Sequence, residues 1–272
     1  MPARVSDHYR TALVTGASTG LGRAFAEMLL ADGVRVWGTS RDPARLAPVA
    51  GLLPVALDLR AGSEATDVFH RADRAAGGFD LVINNAGFGI FSEFVGAEFS
   101  LWEEQLAVML VQPARLAHAA LPGMLARRRG ALVNISSLAV EFPLPFQSAY
   151  NMAKAGLSAL GESLMIETAG TGVVVLDVRP GDYRTDIAGS VRHPQKDPPA
   201  RMQRAWAAFE KMMHAAPPPA AAAVALRRAL LRRRSGTVRI GPAFQAKFAP
   251  FLARFGSQSL RRRVQARYFD AH

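Results

Sequence analysis

The sequence predicts a doubly wound α/β fold, a parallel sheet of about seven strands with helices on both faces. Three observations carry that prediction. Short aliphatic and β-branched runs alternate with longer stretches of helical periodicity. Two of the short runs, LVIN at 81–84 and VVVLDV at 173–178, are apolar almost throughout, which suits strands covered on both faces. Strands separated by helices of this length pair in parallel through right-handed crossovers.

The elements follow in order. Residues 12–15 read as the first strand, and the glycine-rich turn TGASTGLG at 15–22 leads into a helix over 23–32. Strands are expected at 34–39, 54–57, 81–84, 131–135, 173–178 and 237–240. Long amphipathic patterns predict helices over 101–128 and 148–169, and a third over 221–233 follows the Pro217–Pro218–Pro219 turn. The whole chain, 1–272, reads as one dinucleotide-binding and catalytic domain, with 186–219 as a substrate lid and 241–272 as a C-terminal extension.

Half of the 272 residues are apolar, enough for a sizeable core. There is no cysteine, which excludes disulfides, thiolate metal sites and thiol nucleophiles. His193 and His214 are isolated, so no metal is expected. Residues 1–10 lack the apolar core of a secretory signal, and no run is long and apolar enough to span a bilayer. A cytoplasmic protein is expected. The net charge of +11 is mostly arginine and lies late, at Arg227, Arg228, Arg232–Arg234, Arg254, Arg261–Arg263 and Arg267. A solvated surface is the plain explanation, and attraction to an anionic ligand or lipid surface is the alternative. No nucleic-acid reading module accompanies the charge.

A glycine turn between a strand and a helix is the setting for a dinucleotide site. Gly16 would permit the tight turn, Gly20 and Gly22 would allow close approach, and Ser18, Thr19 and Leu21 complete the loop. The helix N-terminus offers free N–H groups to a pyrophosphate. At the end of the second strand an acid would select NAD, whereas an arginine accommodates the 2′-phosphate of NADP. Here Ser40 fills the acid position and Arg41 follows it, so NADP(H) is favoured, with Thr39 and Ser40 as secondary phosphate ligands. Asp42, one place on, is expected to cap the turn at Pro43.

Tyr150 and Lys154 lie one helical turn apart on one face. A phenol near pKa 10 exchanges protons slowly at neutral pH, and a neighbouring ammonium would lower that value. Together with the glycine turn, they point to hydride transfer between a nicotinamide and a carbonyl or alcohol.

In this order and spacing the motifs resemble the short-chain dehydrogenase/reductase family over nearly the whole chain. They are TGASTGLG, Asp58 after the third strand, Asn84–Asn85–Ala86–Gly87, Ile135–Ser136–Ser137, Tyr150 with Lys154, and Pro180–Gly181 with Thr185. The resemblance implies a Rossmann-type fold and a homodimer or homotetramer built on the long helices. It places Asp58, beside Leu59, near the adenine, and Asn85, Ala86 and Gly87 along its ribose. The asparagines could equally close the fourth strand. Pro180, Gly181 and Thr185 would lie beside the nicotinamide. Tyr150 would be the acid or base, Lys154 would hold the nicotinamide ribose, and Ser137 would bond the reacting oxygen. Ser136 competes for that last role, but alternation along a strand sends neighbours to opposite faces.

One position departs from the family pattern. The asparagine usual in the helix before the fifth strand is replaced by Met109, whose thioether cannot hold a water as an amide does. Gln112 is a candidate substitute. An alternative function follows: a sensor or scaffold that binds NADP(H) with little turnover. Phe88, Phe91, Phe94, Phe142 and Phe146 surround the expected opening as core or as lining. Met202, Trp206, Phe209 and Met213 form an apolar stripe, either docking a helix or covering an apolar ligand. An apolar ketone, aldehyde or alcohol is the expected substrate.

Overall fold

The computed structural model describes residues 3–46, 49–185, 190–248, 251 and 257–270. Residues 186–189 of the predicted lid, and Arg254 with its neighbours in the C-terminal extension, lie outside the described residues.

Seven parallel strands form the central sheet. They are β1 (Thr11–Val14), β2 (Arg35–Ser40), β3 (Leu53–Ala56), β4 (Leu81–Asn84), β6 (Gly130–Ile135), β7 (Val173–Pro180) and β9 (Gly236–Ile240), in the order β3-β2-β1-β4-β6-β7-β9. The winding direction reverses between β1 and β4, so a crevice opens there at the strand ends. A separate two-stranded sheet pairs β5 (Gly89–Ile90) with β8 (Val191–Arg192).

Side-chain alternation divides the core into two layers. Ala12, Val14, Leu81, Ile83, Ala131, Val133 and Ile135 pack with α1 (Gly20–Ala31) and α7 (Pro219–Arg232). Leu13, Val82 and Leu132 pack on the other face with α2 (Ser63–Ala76), α4 (Gln112–Ala126) and α5 (Ser148–Glu167). The seven predicted strands are all present, β4 at its predicted bounds and the others with an end shifted by one or two residues. Helix α2 is an addition, formed because Ala65, Phe69, Ala72 and Ala76 recur on one buried face.

The helix predicted over 101–128 is interrupted. It runs as α3 (Phe99–Leu106), a π-helical segment at Ala107–Val111, then α4. Met109 lies inside the π segment and is buried. Helix α6 (Ala200–Ala215) and α8 (Gln258–Tyr268) complete the elements used below.

Candidate active site

Every local feature of the glycine turn is dictated by crowding at the β1–α1 junction. Gly16 has φ +66°, and a Cβ there would stand 2.9 Å from the Ala86 Cα. A Cβ at Gly22 would be 2.2 Å from the Gly16 carbonyl oxygen and 2.4 Å from the Asn85 amide nitrogen. Gly22 therefore lets the helix close on its own turn, and it does not line the cleft. Asn85 ties the turn to β4: its amide donates to the carbonyls of Thr15 (2.9 Å) and Gly16 (3.3 Å). Thr15 Oγ1 accepts from the backbone N–H groups of Asn85 and Ala86 at 2.9 and 3.0 Å. Asn84 is structural, donating to Asn134 and to the Pro113 carbonyl inside the protein.

A cleft of about 920 Å³ opens over this junction. That is the upper end of the range for small-molecule sites. Gly16, Ser18, Thr19, Gly20 and Leu21 line it, so the N-terminus of α1 faces into it. Ser40, Arg41, Asp58, Leu59, Asn85, Ala86, Gly87, Ser137, Tyr150, Lys154, Pro180, Gly181 and Thr185 line it as well. The structure thus gathers every predicted site residue except Gly22 around one cavity.

Two basic residues escaped the sequence reading. Arg45 and Arg60 line the same end as Arg41. Arg60 grips Asp58 in an ion pair of 2.5 Å, and that hydrogen bond holds the Asp58 carboxyl below the usual range. Asp58 thus already has a partner where an adenine contact was expected. Asp42 is away from the cleft and caps the Pro43–Leu46 turn, accepting from Ala44 N–H at 3.0 Å.

At the floor, just past the end of β6, both serines line the cleft but are bonded differently. Ser136 points to the α5 side, bonding the Asp177 carboxylate and the Val178 carbonyl. Ser137 emerges into the cleft and hydrogen-bonds Tyr150. Burial raises the Tyr150 pKa, the Ser137 bond opposes that, and the nearby Asp182 charge raises it further. Lys154 does not lower it in the protein alone, contrary to the sequence expectation. Its Nζ donates to the Ile135 carbonyl at 2.6 Å and stands 5.7 Å from the Tyr150 ring centre. Burial pulls the Lys154 pKa down to about 8, with Asp177 opposing.

Met109 lines the cleft with its thioether against Gly87, where a Cβ would be 2.9 Å from the methyl carbon. Gln112 does not replace the missing asparagine. Its amide donates to the Gly62 carbonyl at 2.9 Å, away from Lys154.

The other half of the cleft is largely apolar. Phe88 and Phe142 line it, whereas Phe91 is core and Phe146 packs on Phe91. Phe94 lies outside, exposed and stacked on Trp102. The α6 stripe does two things: Met202 docks with Phe91 on the core, and Phe209 and Met213 face the cleft. Trp206 and His193 stack edge-on at 4.3 Å, and burial lowers the His193 pKa. The C-terminal residues add a polar clamp. Gln245 donates to Asp182 at 2.5 Å, accepts from its N–H at 3.1 Å, and reaches the Tyr268 hydroxyl at 3.2 Å. Burial raises the Asp182 pKa against that bond.

Among the described residues no helix is long and apolar enough to cross a membrane, and no cluster of side chains could hold a metal ion.

A family model described as short chain dehydrogenase matches residues 10–196. An uncharacterized oxidoreductase of Myxococcus xanthus is 38% identical over 197 residues, 68% of this chain and 77% of that one. The solved short-chain dehydrogenase of Streptomyces avermitilis superposes with a TM-score of 0.81 at 29% identity, covering 95% of this chain and 96% of its own. A metagenomic short-chain oxidoreductase in complex with NADP gives 0.67 at 30% identity, covering 86% and 98%. One from Burkholderia phymatum in complex with NAD gives 0.79 at 25%, covering 89% and 92%.

Proposed function

This chain belongs to the short-chain dehydrogenase family, and we propose that it is an NADP(H)-dependent oxidoreductase interconverting a carbonyl and an alcohol on an apolar small molecule. The observation that carries this is the gathering of Ser137, Tyr150 and the buried Lys154 on one wall where the glycine-turn cleft meets its apolar half.

A dinucleotide suits the residues present. The open turn at Gly16 and Gly20 and the α1 N-terminus would take the pyrophosphate. Thr39, Ser40, Arg41, Arg45 and Arg60 would surround a 2′-phosphate, and the acids near them are already paired, Asp58 with Arg60 and Glu104 with Arg192. A neighbouring structure holds NADP and another holds NAD, so the choice of NADP rests on these side chains. Pro180, Gly181 and Thr185 would flank the nicotinamide, which supplies the hydride when bound.

Tyr150 delivers a proton to the substrate oxygen in reduction and takes one in oxidation. Ser137 Oγ accepts from Ala139 N–H at 3.0 Å and its O–H meets Tyr150, so with substrate bound that O–H would turn from the phenol to the substrate oxygen as charge develops. Lys154 holds the nicotinamide ribose, and its charge then favours the phenolate. Phe88, Phe142, Phe209 and Met213 exclude water around an apolar substrate. Residues 186–219 act as the lid and 241–272 as the extension that frames the opening, all within one domain. Val111, Met152 and Ile166 are exposed on the long helical segments, which supports self-association there as a dimer or tetramer. A cytoplasmic location fits the absence of cysteine.

Met109 supports a second reading, a protein that binds NADP(H) with little turnover. With a thioether at this place, no amide is offered for a water path to Lys154. Consumption of NADPH against a panel of apolar ketones separates the two. Tyr150→Phe should lower turnover by about 10²–10⁴-fold with cofactor affinity retained. A phenylalanine variant as fast as the parent removes Tyr150 from the chemistry. Tight NADPH binding with no turnover on any ketone selects the second reading, and Met109→Asn should then raise activity.

A further inference from the structure

We propose that the C-terminal segment is a docking surface for an anionic lipid bilayer, placed so that the apolar end of the cleft opens against the membrane. Exposed apolar tips, one-signed charge and the cleft mouth converge at the same place.

Phe244 and Phe248 recur at i and i+4 on one helical segment, and both are about 60% exposed. Phe251 is exposed beyond them. On α8, Val264 and Tyr268 repeat the same spacing and are also exposed, while Gln265 and Phe269 turn inward. Gln265 donates to the Pro143 carbonyl at 3.2 Å, and Phe269 is buried, which fixes which side of the helix faces out. The two segments are held together by the Gln245–Tyr268 bond. Phe244, Val264 and Tyr268 all line the rim of the large cleft.

In sequence the C-terminal segment is almost entirely positive in charge. Residues 241–272 carry Lys247, Arg254, Arg261, Arg262, Arg263 and Arg267 against a single acid, Asp270. Arg262, Arg263 and Arg267 are exposed on α8, and Arg263 and Arg267 are the immediate chain neighbours of Val264 and Tyr268. Aromatic tips beside exposed arginines suit the headgroup boundary of a bilayer, which takes apolar side chains and attracts cations together. A folded protein partner would need matching acids and a broad contact area. A second copy of this chain would oppose arginine to arginine. Anionic lipid answers both the apolar and the charged parts.

The consequence concerns substrate delivery. An apolar carbonyl compound partitions into lipid, and a cleft whose rim rests on the bilayer would receive it without passage through water. Docking itself does not depend on the proposed reaction, so the two can fail separately.

Co-sedimentation of the full chain with phosphatidylglycerol vesicles, against pure phosphatidylcholine vesicles, tests the surface. Binding to the anionic vesicles is expected, with loss at high salt as the charges are screened. Each arginine near an anionic surface is worth about five-fold in partitioning, so Arg263→Glu with Arg267→Glu should weaken binding at least 25-fold, about 2 kcal/mol. Phe248→Ser should also weaken it, and Phe248→Leu should retain most of it. Thermal unfolding and NADPH affinity, read on each variant, confirm an intact protein. No sedimentation at low salt overturns the proposal. Binding that survives these substitutions but is lost with Arg232→Glu and Arg234→Glu also overturns it, by assigning the charge to α7. So does self-association that vanishes in Phe248→Ser without lipid binding in the parent.

Discussion

Arg179 and Lys154 are both buried, both feel the Asp177 carboxylate, and are surrounded very differently. Arg179 is fully answered. Its guanidinium meets Asp177 at 2.7 Å, Glu141 at 2.9 Å, Glu162 at 2.9 Å and the Ser158 hydroxyl at 2.8 Å. Burial works against the charge, and the bonds from Glu141 and Asp177 more than offset it, leaving the Arg179 pKa raised. Lys154 has one backbone carbonyl at 2.6 Å and a pKa pulled down to about 8. The first cation is consumed by the fold. The second keeps donors to spare and faces a cleft, which is how a chain holds a charge ready for a ligand.

That contrast can be broken from either side. Asp177→Leu leaves Arg179 with Glu141 and Glu162 but removes its only fully buried carboxylate among the described residues, and also removes the partner of Ser136 and Ser158. It should cost about 3–5 kcal/mol in denaturant unfolding, and a loss under 1 kcal/mol would show that the network is ornamental. Lys154→Met should act in the opposite direction on stability. Removing a poorly paired buried ammonium should stabilise the protein by about 1–2 kcal/mol near neutral pH, while NADPH affinity falls.

The same group sets a pH dependence. Lys154 is charged below about 8 and neutral above it in the folded protein, whereas an unfolded lysine stays charged to about 10.4. Its burial penalty is therefore fully present below pH 8 and fades as pH rises toward 10.4, so this group makes the protein more stable in that window. NADPH affinity should run the other way, declining above pH 8 as the ammonium is lost. Lys154→Met should flatten that decline in a fluorescence titration. The smallest effect belongs to Glu162, whose side chain is 60% exposed. Glu162→Gln should change stability by less than about 1 kcal/mol.

Legibility in the sequence followed how local each cause was. The strands and the glycine turn were readable because apolar periodicity and a glycine spacing are contiguous signals. The choice of Ser137 over Ser136 followed from alternation, and the packing of Ile135 and Ser136 on opposite faces agrees with it. A motif does not say what a Cβ at Gly22 would strike; only the folded turn shows the Gly16 carbonyl there. Arg45 and Arg60 come from separate loops and converge only once β2 and β3 lie side by side. The Arg179 network had a visible sign, an acid and an arginine two apart in an otherwise apolar strand and hence on one face. Helix α2 was missed although Phe69 and its alanines have the right spacing, since alanine contributes little apolar contrast. The expected effect of Lys154 on Tyr150 failed because spacing along a helix fixes the face but not where a long side chain ends.

The π-helical segment at Ala107–Val111 has a consequence for how this architecture can change. It holds one more residue per turn than the helix on either side of it. Deleting a single residue there would restore a continuous α-helix with α3 and α4 close to their present phase, whereas the same deletion within the regular turns of α4 would swing α3 about its axis by about 100° relative to the rest of α4. Trp102 would leave its bond to the Phe94 carbonyl, and Gln105 its bond to Phe88 at 2.7 Å. The extra residue acts as a phase shifter: the floor of the cleft and its outer wall can each drift in sequence without forcing the other to rotate.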